Sequence, residues 1–310
     1  GQIDDVCIVE VPPCPTPVQN GGFTEGLVPG SMPSASVAGW SLSSGSPQVV
    51  DTMGCEDVGY VQMWGNQAVG EAIQQSVTFK KNHTYRPKLC YRWHDANPNL
   101  PPYVRIRLDA SIGPKTYGAC PPATCSTIGV TPNTSSTAWL PLTLADWVAP
   151  KTFDTLTINP ENDSTANDGN LVSWGHVDDV CITDVSRCRW VVIGAGLPGI
   201  QGIPVLSGEN CVQAGNTISI QATNAAPFGL ALFVVGFSES NYPFSGGVLT
   251  PTLNIVFPPL PLDGAGSITL PAAVPANVPP DVELYFQAVI GDPSAPFGIA
   301  MTNALFTVTG

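Results

Sequence analysis

Apolar and polar residues alternate with period two in several short segments of this chain. Tyr60-Val61-Gln62-Met63-Trp64 and Tyr103-Val104-Arg105-Ile106-Arg107-Leu108-Asp109 show the pattern cleanly, so each places alternate side chains on one face of a strand. Residues 72–79, 85–93, 155–159 and 171–179 read as further strands, with turn signals at Asn20-Gly21-Gly22 and Asp168-Gly169. No amphipathic helix of useful length is present. Beyond Arg189 the pattern continues as short apolar strands at 217–222, 230–236, 267–270, 283–289 and 304–308, punctuated by Gly and Pro. These elements predict an all-β chain: a jelly-roll β-sandwich followed by a second, smaller, Ig-like β-sandwich.

An internal repeat sharpens the boundaries. Residues 1–8 (GQIDDVCI) recur as residues 175–182 (GHVDDVCI), and Val11 and Cys14 match Val185 and Cys188 at the same spacing. The reading is therefore a strand at 1–14 that matches the last strand of a repeat, a first domain over 15–188 and a second over 189–310. A displaced strand of this kind is able to add to a sheet in another copy of the chain, giving head-to-tail association into a surface fibre or matrix. Any secretion signal would have been removed ahead of Gly1.

Composition narrows the function. Charged residues are 11% of the chain and the net charge is −13, which argues against nucleic acid as a partner. No apolar run is long enough to span a membrane as a helix. Residues 191–310 hold no Lys, Arg or His. Nine Cys point to an oxidising, extracellular setting. Cys7, Cys14, Cys55, Cys90, Cys120, Cys125, Cys181 and Cys188 are the disulfide candidates, with Cys120 and Cys125 closing a short loop; an odd count leaves one thiol over. Zinc is the rival reading, but neither CxxC nor HxxxH occurs.

Catalytic signals are weak. His83, His94 and His176 are scattered, and neither a Gly-x-Ser-x-Gly elbow nor a His-Glu-x-x-His motif occurs. His94-Asp95 stands in a turn-like stretch. A non-enzymatic chain is expected. Glycan binding needs aromatic faces for stacking beside amides and guanidiniums that bond hydroxyls. Tyr60, Gln62, Trp64, Arg92, Tyr103, Arg105, Arg107 and Asn159 are the candidates, with Thr155 and Thr157 in the last row, while Trp40, Trp139 and Trp174 are expected in the core.

The segment 15–185 resembles the jelly-roll carbohydrate-binding modules that accompany secreted glycanases. The resemblance rests on Asn20-Gly21-Gly22-Phe23-Thr24-Glu25-Gly26, on Gly39-Trp40 and on the closing Val177-Asp178-Asp179-Val180; Thr24 is an insertion relative to the family pattern. It implies a structural calcium held by Glu25 with Asp178 or Asp179. The segment 190–310 resembles a C-terminal β-sandwich of large secreted planctomycete-type proteins, through Gly196-Leu197-Pro198-Gly199, Asn224-Ala225-Ala226-Pro227, Pro243-Phe244, Gly246-Gly247, Asp263-Gly264 and Tyr285-Phe286-Gln287. Two functions follow as expectations: an extracellular adhesive protein that assembles with copies of itself, or a carbohydrate-binding module whose partner is a glycan.

Overall fold

The computed structural model describes residues 18–19, 21–31, 36–55, 58–65, 71–94, 103–109, 125–130, 138–161 and 173–310. The strand expected at residues 1–14 lies outside them. The chain divides into two compact units, 1–184 and 185–310. Every named strand pairing is antiparallel, and no helix among the described residues is long and apolar enough to cross a membrane.

In the first unit the strands are β1 (Gly30–Ser31), β2 (Ser41–Ser44), β3 (Gln48–Met53), β4 (Val58–Gly65), β5 (Ala72–Phe79), β6 (Thr84–His94), β7 (Tyr103–Asp109), β8 (Cys125–Val130), β9 (Leu140–Thr143), β10 (Trp147–Val148), β11 (Phe153–Glu161) and β12 (Ser173–Asp184). They form a seven-stranded sheet in the order β1-β3-β4-β12-β6-β10, with β9 also on β6, and a five-stranded sheet in the order β2-β5-β11-β7-β8. The chain crosses repeatedly from one sheet to the other, which is the winding of a jelly roll. Alternation explains the core: Val49, Val61, Met63, Leu89 and Tyr91 point inward from one sheet, and Ile73, Phe79, Leu156 and Ile158 meet them from the other. Phe23 and Trp40 join this core, their rings 5.2 Å apart.

The alternation of β12 breaks at Asp178-Asp179. Asp178 pairs with Cys90 and Cys181 with Lys88, so three steps on β12 oppose two on β6. This is a β-bulge, and Asp179 takes φ +47° within it. The extra residue resets the phase, so that Val177 and then Val180 and Ile182 all face the core.

The second unit contains β13 (Val191–Val192), β14 (Val205–Glu209), β15 (Thr217–Thr223), β16 (Leu230–Gly236), β17 (Glu239–Phe244), β18 (Gly247–Pro251), β19 (Ile255–Val256), β20 (Leu260–Pro261), β21 (Ile268–Ala273), β22 (Glu283–Gly291), β23 (Ile299–Met301) and β24 (Leu305–Val308). A seven-stranded sheet, β13-β24-β22-β16-β19 with β20 on β16 and β23 on β22, faces a three-stranded sheet, β14-β15-β21, across a core that includes Phe233, Phe286 and Ile290 from the first and Leu206, Ile218 and Ile220 from the second. β17 and β18 form a separate hairpin. Gln287 is buried and fully used: its Oε1 accepts from Thr250 N–H at 2.8 Å, and its Nε2 donates to the carbonyls of Thr302 and Val248.

The division falls at Asp184/Val185 rather than after Cys188, because the intervening residues are tied to the second unit. Arg187 forms an ion pair with Asp281, its Nε 2.7 Å from Oδ1, and Cys188 is disulfide-bonded to Cys211. Cys211 was not among the expected bridging residues. Cys55 is bonded to Cys90, and Cys181 is disulfide-bonded too. Cys7, Cys14 and Cys120 lie outside the described residues, and Cys125 opens β8.

Candidate functional site

The expected glycan-binding residues do not share one surface. Tyr60, Gln62, Trp64 and Arg92 sit on β4 and β6 of the seven-stranded sheet, whereas Tyr103, Arg105, Arg107 and Asn159 sit on β7 and β11 of the five-stranded sheet. Period-two alternation assigns a residue to a face of its own strand, and the sheet that strand joins is settled by long-range pairing. A single cleft containing all eight is therefore corrected to two separate sets.

On the five-stranded sheet the register builds a polar row. Ser41 pairs with Gln74, Gln74 with Thr157, Thr157 with Arg107 and Arg107 with Thr127. Ser76, Thr155, Asp109 and Cys125 make a second row beside it, and Asn159 pairs with Arg105. The residues one step away along β11, Leu156 and Ile158, are core, so Thr155 and Thr157 face away from it. Gln74, Thr155 and Thr157 are nonetheless buried at 2%, 0% and 1% exposure. Gln74 Nε2 donates to the Leu42 carbonyl at 3.2 Å. The Thr155 hydroxyl is buried without a hydrogen-bond partner, an unusual state for a polar atom in a folded interior.

On the seven-stranded sheet, Tyr60 is 5% exposed and not an open stacking platform. Its ring stacks on His176 at 5.0 Å and meets Trp139 edge-on at 5.5 Å. The Arg92 guanidinium lies 4.9 Å from the Tyr60 ring centroid and 4.6 Å from that of Trp139, and Arg92 Nε donates to His176 Nδ1 at 2.7 Å. Trp139 was expected in the sandwich core and instead covers this outer cluster; Trp40 is in the core as expected.

Asp178 is fully buried; its Oδ2 accepts from Cys55 N–H at 2.6 Å and its Oδ1 from Asp179 N–H at 2.8 Å. Glu25 is exposed, with its carbonyl accepting from Ala38 N–H. Among the described residues, the one group of three ligand types within 4.8 Å of one another is Cys55, Cys90 and Asp179, and its two sulfurs are already a disulfide. The acids expected to hold calcium, Glu25, Asp178 and Asp179, do not all place a carboxylate oxygen within 4.8 Å of one another.

Among the described residues the histidines sit in two separate places. His83 Nδ1 pairs with Asp184 Oδ2 at 2.6 Å, joining the start of β6 to the end of β12, and His176 belongs to the cluster above. His94 ends β6, and Asp95 lies outside the described residues.

No protein-family model matches the chain, and no curated protein matches it in sequence. Several solved structures are similar in fold at low overlap. The carbohydrate-binding module TmCBM61, solved in complex with β-1,4-galactotriose, is 14% identical with a TM-score of 0.33, covering 54% of this chain and 97% of that one. A tandem CBM22-1–CBM22-2 domain from Paenibacillus barcinonensis Xyn10C is 11% identical with a TM-score of 0.34, over 92% of this chain and 90% of that one. The CBM22-1–GH10 modules of Clostridium thermocellum xylanase 10B, complexed with xylohexaose, are 14% identical with a TM-score of 0.32; the match covers 49% of this chain and 27% of that one. The β-sandwich assignment rests on the strand pairing described above.

Proposed function

We propose that this chain is a non-catalytic, extracellular glycan-binding protein whose ligand lies over the five-stranded sheet of the first unit. The observation that carries the reading is the row Ser41–Gln74–Thr157–Arg107–Thr127, which the register sets across all five strands of that sheet. A sheet face whose described side chains include the hydroxyls of Ser41 and Thr157 and the amide of Gln74 suits a sugar, whose hydroxyls both donate and accept. The disulfides Cys55–Cys90 and Cys188–Cys211 support an oxidising compartment. Glycan arrays probed with the full chain test the proposal. Binding that weakens in Thr157→Val supports it; an array silent for the wild type, or a variant that binds equally well, removes it.

A second reading, assembly with copies of itself, draws on the second unit. β19 ends the path of its sheet, and Ile255, Val256 and Phe257 on it or beside it are 43%, 47% and 43% exposed. An apolar sheet edge accepts added strands, and residues 1–14 would be the incoming strand. Light scattering over a concentration series tests this: a species that grows with concentration and vanishes in Val256→Lys supports assembly, and a monomer throughout ends it.

A further inference from the structure

The cluster on the outer face of the seven-stranded sheet is rich in hydrogen-bond donors and poor in acceptors. Arg92 keeps a permanent charge, yet no carboxylate pairs with it among the described residues; its hydrogen bond goes to His176 Nδ1. Because Nδ1 accepts, the proton of that ring is on Nε2 and His176 is neutral. Trp139 Nε1, a donor only, is buried without a partner. The guanidinium carbon lies over the rings of Tyr60 and Trp139. With Nε engaged by His176, Arg92 has its two Nη groups left, which can take a carboxylate in bidentate fashion.

We propose that Arg92, Trp139, Tyr60 and His176 form a binding site for the carboxylate of an acidic sugar, separate from the five-stranded sheet and independent of any ligand there. A half-buried guanidinium has lost part of its hydration, and an anion restores what was lost. Arg92 Nη and Trp139 Nε1–H, which have no acceptor among the described residues, call for the same kind of partner. The Trp139 ring offers the pyranose an apolar wall. The net charge of −13 gives no long-range attraction for anions, so affinity for one would come from this donor set and would disappear with it.

The test titrates the full chain with a galacturonic acid trimer, and with a neutral galactose trimer and a sulfated galactose trimer as controls. It follows heat and the Trp139 indole N–H resonance. The expected result is binding of the uronate trimer with a shift of that resonance, no such shift with the neutral trimer, and roughly ten-fold or more weakening in Arg92→Gln. Trp139→Phe keeps the ring and deletes one donor, and is expected to weaken binding several-fold even where Arg92→Gln fails to fold. An unmoved Trp139 resonance, or variants that bind as the wild type does, overturn the proposal. Binding of the sulfated trimer without the uronate overturns the carboxylate assignment.

Discussion

Asp178 and Cys90 stand opposite one another in the β12–β6 ladder, and both hold Cys55: Cys90 through a disulfide, Asp178 through a hydrogen bond that its Oδ2 accepts from Cys55 N–H. The bulge at Asp178-Asp179 thereby fixes the turn between β3 and β4 to the middle of the sheet. Space is tight there. A Cβ on Gly54 would come within 2.1 Å of Asp178 Oδ2, so Gly54 admits the carboxylate where alanine would displace it.

Asp178→Ala removes the acceptor of two backbone N–H groups in a fully buried position, and the expected loss is roughly 3 kcal/mol of unfolding free energy. Urea denaturation of wild type and variant under non-reducing conditions measures it. A loss below half a kilocalorie, about the size of a neutral surface change, would show that Asp178 is not the clamp described.

Calcium is expected to be dispensable for folding. Asp178 spends both carboxylate oxygens on amides, and Glu25 and Asp179 do not join it in one ligand group. The melting temperature is therefore expected to be the same in EGTA and in millimolar calcium. A fall in EGTA that calcium reverses would mean that the acids of the opening and closing motifs gather around an ion after all.

Alkaline stability should report Tyr91. Its ring is fully buried in the first core, and that burial pushes its phenol well above the ordinary value of 10.0. The unfolded chain releases this proton near pH 10 and the folded chain holds it, so the contribution is complete below about pH 10 and lost as pH rises beyond. Between pH 10 and 11.5, the unfolding free energy of Tyr91→Phe is expected to fall less steeply than that of the wild type. Equal slopes would contradict the burial argument.

Much of this architecture was legible in the alternation of residues. Tyr60 to Trp64 and Tyr103 to Asp109 both lie within strands, and 72–79 matches β5 residue for residue. The sheet each strand joins was not legible, because Arg92 and Arg107 occupy equivalent positions in similar local patterns and are sorted only by distant pairing. Trp139 was misassigned for a related reason: it sits just before a four-residue strand, where no period signals which face it covers. Asp178-Asp179 is read as a calcium pair from the family resemblance alone, and the bulge it forms is a separate role. The phase change from Val177 to Val180 was the available sign of a bulge. Cys211 carried no motif and is recognised as the partner of Cys188 only once the second unit is folded.

The proposed glycan site lies on the five-stranded sheet. Isothermal titration of the strongest glycan from an array, against wild type, Arg107→Ala and Trp64→Ala, tests it most directly. Arg107 lies in the polar row and Trp64 on a strand of the other sheet. Arg107→Ala is expected to weaken binding roughly ten-fold or more while Trp64→Ala binds as the wild type does. Loss in Trp64→Ala with Arg107→Ala unaffected would contradict it and move the ligand to the opposite sheet.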